Sequence, residues 1–88
     1  MIYSVCIVGA GVGANHLDGF LELPDQFRVH SICDLDAERG KALAARQQGV
    51  GFTTDLQAVL ADPEIDIVDI CLPPHLHVST TIAALEAG

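Results

Sequence analysis

Apolar residues along the chain switch between two spacings. Ile2 to Val8 is a near-continuous apolar run that stops at glycines, which predicts a strand buried on both faces. Ala14, Leu17, Phe20 and Leu21 then recur at helical spacing. They predict a helix from about Gly13 to Glu22, ended by Pro24 and Asp25. Phe27 to Cys33 reads as a second strand. A second helix is predicted from Asp36, its N-cap, to Gln48, with Gly49 as the stop. Val50 to Thr53 is a short third strand. Asp55 caps a short helix through Leu60, and Asp62-Pro63 makes a turn. Ile65 to Leu72 is a fourth strand, stopped by Pro73-Pro74. A last helix runs from about His75 to Ala87, with Gly88 at its C′ position.

Strands that alternate with helices imply a parallel sheet with right-handed crossovers. The expected fold class is therefore α/β: the first four strands, in order 3-2-1-4, of a truncated Rossmann-type doubly wound sheet. Strand one is then central, and its glycine turn lies at the switch point between strands two and four. The 88 residues are too few for a six-strand dinucleotide fold plus a substrate domain. Residues 1–88 are expected to be the N-terminal part of a dinucleotide-binding domain, with the substrate domain absent. The sequence contains no repeat, low-complexity stretch or linker.

Composition narrows the partners. The net charge is −8, and the only basic residues are Arg28, Arg39, Lys41 and Arg46. Such a surface repels a polyphosphate backbone, so no nucleic acid is expected. One nucleotide stays possible, because glycine loops bind phosphate through backbone N–H groups. The sequence shows no signal peptide and no apolar run long enough to span a bilayer, so a cytoplasmic protein without membrane contact is expected. Cys6, Cys33 and Cys71 are odd in number and not closely paired. They read as free thiols in or beside strands.

The candidate chemistry sits at Val8-Gly9-Ala10-Gly11-Val12-Gly13-Ala14. A phosphate cradle needs a sharp strand-to-helix turn, a backbone approach free of side chains, and a helix N-terminus offering N–H groups and a positive dipole end. Gly9 suits the turn and Gly11 the close approach, while Ala14 takes the helix-packing place of the G-x-G-x-x-G/A pattern and Gly13 is an extra glycine. A bare glycine cluster also marks an ordinary strand-to-helix turn. Here it follows an apolar strand, opens an amphipathic helix, and has an acid, Asp34, about 20 residues beyond it at the end of strand two. Asp34 is placed to accept the ribose hydroxyls. With Asp36 close by and Leu35 offering no positive charge, a 2′-phosphate is opposed, so NAD is expected over NADP. The same loop also reads as the G-x-G-x-G of many S-adenosylmethionine-dependent methyltransferases, and Pro73-Pro74-His75 loosely echoes their Pro-Pro-aromatic signature.

Ile65-Asp66-Ile67-Val68-Asp69-Ile70-Cys71-Leu72-Pro73-Pro74-His75-Leu76-His77 is more distinctive. It resembles the strand-four signature of the glucose–fructose oxidoreductase and inositol dehydrogenase (Gfo/Idh/MocA) family. The resemblance extends to the glycine loop followed by His16, to Ile32-Cys33-Asp34-Leu35-Asp36-Ala37-Glu38-Arg39, and to Phe52-Thr53-Thr54-Asp55-Leu56. It also takes in Leu60 to Asp66 and Ile82 to Gly88, and so covers nearly the whole chain. The loop departs from the family form by a one-residue contraction that brings His16 one residue early. The resemblance implies a cofactor-binding set of Gly9, Gly11, Val12, Gly13, Ala14, Asp34, Leu72, Pro73 and His77, with NAD as cofactor. In the family, a Glu-Lys-Pro lysine on the next strand, a later acid/base histidine and a second sheet-rich domain act on the substrate. No catalytic residue is therefore expected within this chain.

The function implied is that of an NAD-dependent dehydrogenase acting on a secondary hydroxyl of a sugar, cyclitol or similar small molecule, as a homo-oligomer. The alternatives are a non-catalytic nucleotide-sensing module of the same fold and the methyltransferase. His16 and His30 read as structural and His75 as exposed. His75 and His77 have metal-compatible spacing but no evident partner, so no metal is expected. Asp69 reads as a strand position reached by water, and Asp62, Glu64 and Asp66 as a solvated acidic turn.

Overall fold

The computed structural model describes residues 2–11, 13–72 and 74–87, with the side chains of 74–79 outside that description. The elements alternate as expected: β1 (Tyr3–Val8), α1 (Gly13–Leu21), β2 (Phe27–Cys33), α2 (Ala37–Ala44), β3 (Gly51–Thr53), α3 (Leu56–Ala61), β4 (Ile67–Ile70) and α4 (Pro74–Ala87). The strands form one parallel sheet in the order β3-β2-β1-β4. Strand β1 is central, and the switch point falls at its C-terminal end.

Each face of the sheet packs against a helical layer. Val5 and Ile7 of β1 join Val29, Ile32, Leu17 and Leu43 beneath α1 and α2. Cys6 and Val8 turn the other way, to Cys33 and Val59, with Leu56, Val68 and Leu72 against them. This two-sided burial explains why β1 is apolar throughout and does not alternate. Phe20 and Phe27 close the lower end of α1 edge-to-face, with ring centroids 5.1 Å apart.

The β1–β2 register slips between Val5 and Cys6: Val5 faces Val29, but Cys6 faces Ser31. His30 is therefore the extra residue of a bulge, a feature that re-aims a side chain. Its Nδ1 lies 3.0 Å from Ser31 Oγ, and its Nε2 lies 3.5 Å from a Glu64 oxygen and 3.8 Å from an Asp62 oxygen. The slip advances β2 by one residue, so that Asp34 emerges opposite Gly9, one step past the Val8–Cys33 pair.

Two elements differ most from the sequence reading. Helix α2 ends at Ala44, short of Gln48. Arg46 and Gln47 bond three residues back, to Leu43 and Ala44, so the last turn tightens before Gly49 at φ 89° reverses the chain. Strand β4 is shorter than residues 65–72, yet its pairing with β1 extends past both ends: Asp66 N–H donates to the Ser4 carbonyl and Cys71 N–H to that of Val8. Among the described residues, no helix is long and apolar enough to cross a membrane.

Candidate functional site

The turn after β1 is held by its neighbours. Gly9 N–H donates to the Cys33 carbonyl at 2.8 Å, tying the loop to the end of β2. Gly9 sits at φ 102°, and a Cβ there would lie 2.5 Å from the Cys71 carbonyl oxygen. Only glycine meets both demands. At Gly13 a Cβ would meet Ile7 Cγ2 at 2.6 Å. Gly13 therefore holds the close helix–strand packing place that the sequence reading gave to Ala14. Ala14 is half-buried against the same core. The contraction thus falls before Gly13, and the spacing from Gly13 to His16 is kept. Gly11 is exposed, and among the described residues a Cβ on it would meet only Arg39 Nη1, at 3.9 Å. The backbone there is open to an approaching ligand.

Asp34 is the electrostatic centre. It is only 4% exposed, and both oxygens are engaged. Oδ2 accepts from Ala10 N–H at 2.7 Å and Arg39 Nε at 3.0 Å. Oδ1 accepts from Asp36 N–H at 2.8 Å and Arg39 Nη2 at 3.3 Å. Burial alone would raise its pKa, but the Arg39 fork and the two backbone donors outweigh burial and hold the carboxyl below its ordinary value. Asp34 is therefore a fixed anion bonded to the loop itself. Asp36 caps α2 as expected, accepting from Arg39 N–H.

Arg39 is the site residue that sequence reasoning missed. In the sequence it is one of four basic residues, with no site role given to it. Its place in the first turn after the Asp36 cap, five residues past Asp34, is the available signal. Its side chain is 55% exposed and lies between Asp34 and Gly11. A mostly apolar cavity of about 100 Å³ adjoins Asp34, lined by Val8, Cys33, Leu35, Leu56 and Leu72. Leu72, one of the expected residues, therefore lies beside Asp34. Val12, Pro73 and the side chain of His77 lie outside the described residues. A larger groove of about 850 Å³ opens at the opposite end of the strands, by Ile2, Phe27 and Gln48, and holds none of the expected residues.

Asp69 does not behave as the sequence suggested. His16 reaches β4: its Nδ1 lies 2.6 Å from Asp69 Oδ2 and 3.3 Å from Cys71 Sγ. Asp69 thus has a side-chain partner beneath α1. Asp66, expected in solvent, accepts from Ser4 N–H at 2.8 Å. Burial, and next the Asp69 carboxylate, push the Cys71 thiol up to about 12, while burial pushes Cys33 to about 11 and also raises Cys6. All three cysteines are free.

Residues 3–88 match the family described as an oxidoreductase family with an NAD-binding Rossmann fold, Gfo/Idh/MocA. The chain belongs to that family. It is 34% identical over 85 residues to 4-carboxy-2-hydroxymuconate-6-semialdehyde dehydrogenase of Sphingobium, covering 96% of this chain and 27% of that enzyme. It is 33% identical over 85 residues to inositol 2-dehydrogenase of Corynebacterium glutamicum, covering 96% of this chain and 25% of the relative. Among solved structures, it resembles myo-inositol dehydrogenase of Lactobacillus casei in complex with NAD(H) and myo-inositol. The TM-score there is 0.90 at 26% identity, over 98% of this chain and 26% of that one. Levoglucosan dehydrogenase with NADH and levoglucosan gives 0.89 at 29% identity, over 100% of this chain and 26% of that one. The chain thus spans about a quarter of its relatives' length. The match favours neither the methyltransferase nor the sensing module.

Proposed function

We propose that this chain is the cofactor-holding part of an NAD-dependent dehydrogenase that oxidises a secondary hydroxyl of a sugar, cyclitol or similar small molecule. The observation that carries the cofactor part is Asp34: a buried carboxylate bonded to Ala10 N–H in the glycine turn, beside the open backbone of Gly11. Relatives named inositol 2-dehydrogenase and D-glucoside 3-dehydrogenase support the substrate class.

The residues present fit a dinucleotide. Gly11 leaves room for a pyrophosphate, the α1 N-terminus faces it with a positive dipole end, and Asp34 matches a ribose diol. When bound, the nicotinamide accepts the hydride. The chain's own part is to hold and orient. Both Asp34 oxygens already accept two N–H groups each, so a ribose diol must displace a partner. Ala10 and Asp36 donate from fixed backbone, so the half-exposed Arg39 is the one that gives way. We further propose NAD over NADP, because a 2′-phosphate would meet Asp34 at close range. Arg39 is a nearby cation, but Asp34 already neutralises it. Val12, Gly13, Pro73 and His77 complete the proposed cofactor set. Free thiols suit the cytoplasm, and we extend the proposal to a cytoplasmic homo-oligomer.

The test is a substrate screen with the full natural protein. Steady NADH formation is expected with NAD and a cyclitol or sugar from a panel. NADH formation with none of them would overturn the activity, although cofactor binding could still stand.

A further inference from the structure

We propose that His16, Asp69 and Cys71 form a binding site for a thiophilic divalent transition metal of the zinc class, on the α1–β4 face behind the glycine turn. Asp69 and Cys71 lie two residues apart, on the face of β4 that meets α1, and His16 approaches from α1. One imidazole nitrogen, three donor types and two rigid elements therefore converge on one point.

The alternative chemistry for such a trio is a Cys–His–Asp relay. A relay uses the two ring nitrogens separately, one oriented by the carboxylate and the other taking the thiol proton. Here the carboxylate and the sulfur both approach Nδ1, at 2.6 and 3.3 Å. That geometry cannot relay a proton from Cys71 through the ring to Asp69. It does suit a shared metal, for which all three donors must face one centre.

The three donor atoms lie within reach of one shared ion. Tetrahedral zinc with Zn–N and Zn–O near 2.1 Å and Zn–S near 2.3 Å separates its donors by roughly 3.4 to 3.6 Å. The three donor atoms here all lie within 4.8 Å of one another. The sulfur–nitrogen distance is already close to that spacing. The nitrogen–oxygen pair must open by about 0.8 Å on this arithmetic, which the 45%-exposed His16 side chain has room to do. A nitrogen, oxygen and thiolate set selects zinc-like ions over magnesium or calcium. Three protein ligands leave one position for water. Among the described residues, the other cluster of this kind, His30 with Asp62 and Glu64, has no thiol and relies on a Glu64 side chain that is 75% exposed. The spacing rules that expose sequence-local metal motifs cannot find this site, because its donors lie 53 and 55 positions apart.

Cobalt(II) is the probe, added to the full natural chain with its thiols kept reduced by a phosphine. One equivalent should give a thiolate-to-cobalt charge-transfer band with the visible bands of a four-coordinate ion, and zinc should displace it. Cys71→Ser should abolish the charge-transfer band. His16→Gln and Asp69→Asn should weaken cobalt binding by about ten-fold or more. The absence of the band in the wild-type protein overturns the proposal, and the trio is then a hydrogen-bonded polar cluster only. A band that survives in Cys71→Ser also overturns it, by assigning the signal to Cys6 or Cys33. If circular dichroism shows that Cys71→Ser fails to fold, unchanged affinity in His16→Gln, altered at an exposed side chain, overturns it instead.

Discussion

Asp34→Ser should move cofactor preference from NADH toward NADPH. The wild-type carboxylate is a fixed charge, held by Ala10 N–H, Asp36 N–H and Arg39. Two unit charges about 5 Å apart repel by roughly 3 kcal/mol at an effective dielectric constant near 20. Salt screening reduces that figure at a half-open site. Loss of the carboxylate also removes charged hydrogen bonds to the ribose diol of NADH, each worth about 1.5 to 3 kcal/mol. It frees Arg39, whose guanidinium then faces a 2′-phosphate unopposed. All three effects act in one direction, so the NADPH-to-NADH ratio of dissociation constants should fall by about 100-fold or more. The nicotinamide fluorescence of each reduced cofactor, titrated at fixed ionic strength, reports binding. Serine can replace only part of the acceptor set, so a stability loss of about 1 to 3 kcal/mol should accompany the switch. A folded variant whose ratio stays within about three-fold of wild type, far below the change estimated above, would refute the claim that Asp34 meets the ribose.

Other outcomes follow from the same structure. Gly9→Ala should cost about 3 kcal/mol or more in urea unfolding, because the residue is at φ 102° and its Cβ would strike the Cys71 carbonyl. Leu17→Ala, at a fully buried α1 position, should cost about 2 to 5 kcal/mol by the same assay. Acid should weaken the fold through Asp34. Its folded pKa is depressed, so its contribution is present above the ordinary carboxylate value and fades as pH falls through the folded one. Asp34→Asn should be less stable at neutral pH, and its stability should fall less on acidification. An identical acid-dependent loss in both proteins would assign the effect to other carboxylates.

Patterns of short range were legible in the sequence. The apolar run of β1, the amphipathic face of α1 and the caps at Asp36 and Asp55 announce themselves within a few residues, and their alternation implies a parallel sheet whose order β3-β2-β1-β4 is the Rossmann one. Tertiary demands were not legible. Gly13 is the packing glycine because Ile7 lies under it, which no count of loop spacing reveals. The His30 bulge leaves no mark in the β2 sequence, yet it sets where Asp34 emerges. Arg39 could have been found from its position in the first turn after the Asp36 cap. The His16–Asp69–Cys71 contact could not, since its members meet only when the sheet sets β4 beside β1, within reach of the His16 side chain.

The central claim is that the glycine turn and Asp34 hold a nicotinamide dinucleotide. It is tested most directly by a stability titration of the full natural protein with NADH and, separately, S-adenosylmethionine. A ligand at 100 times its dissociation constant stabilises the folded state by about 2.7 kcal/mol. NADH should raise the unfolding midpoint accordingly, and S-adenosylmethionine should leave it unchanged. Stabilisation by S-adenosylmethionine with none by NADH would contradict the account.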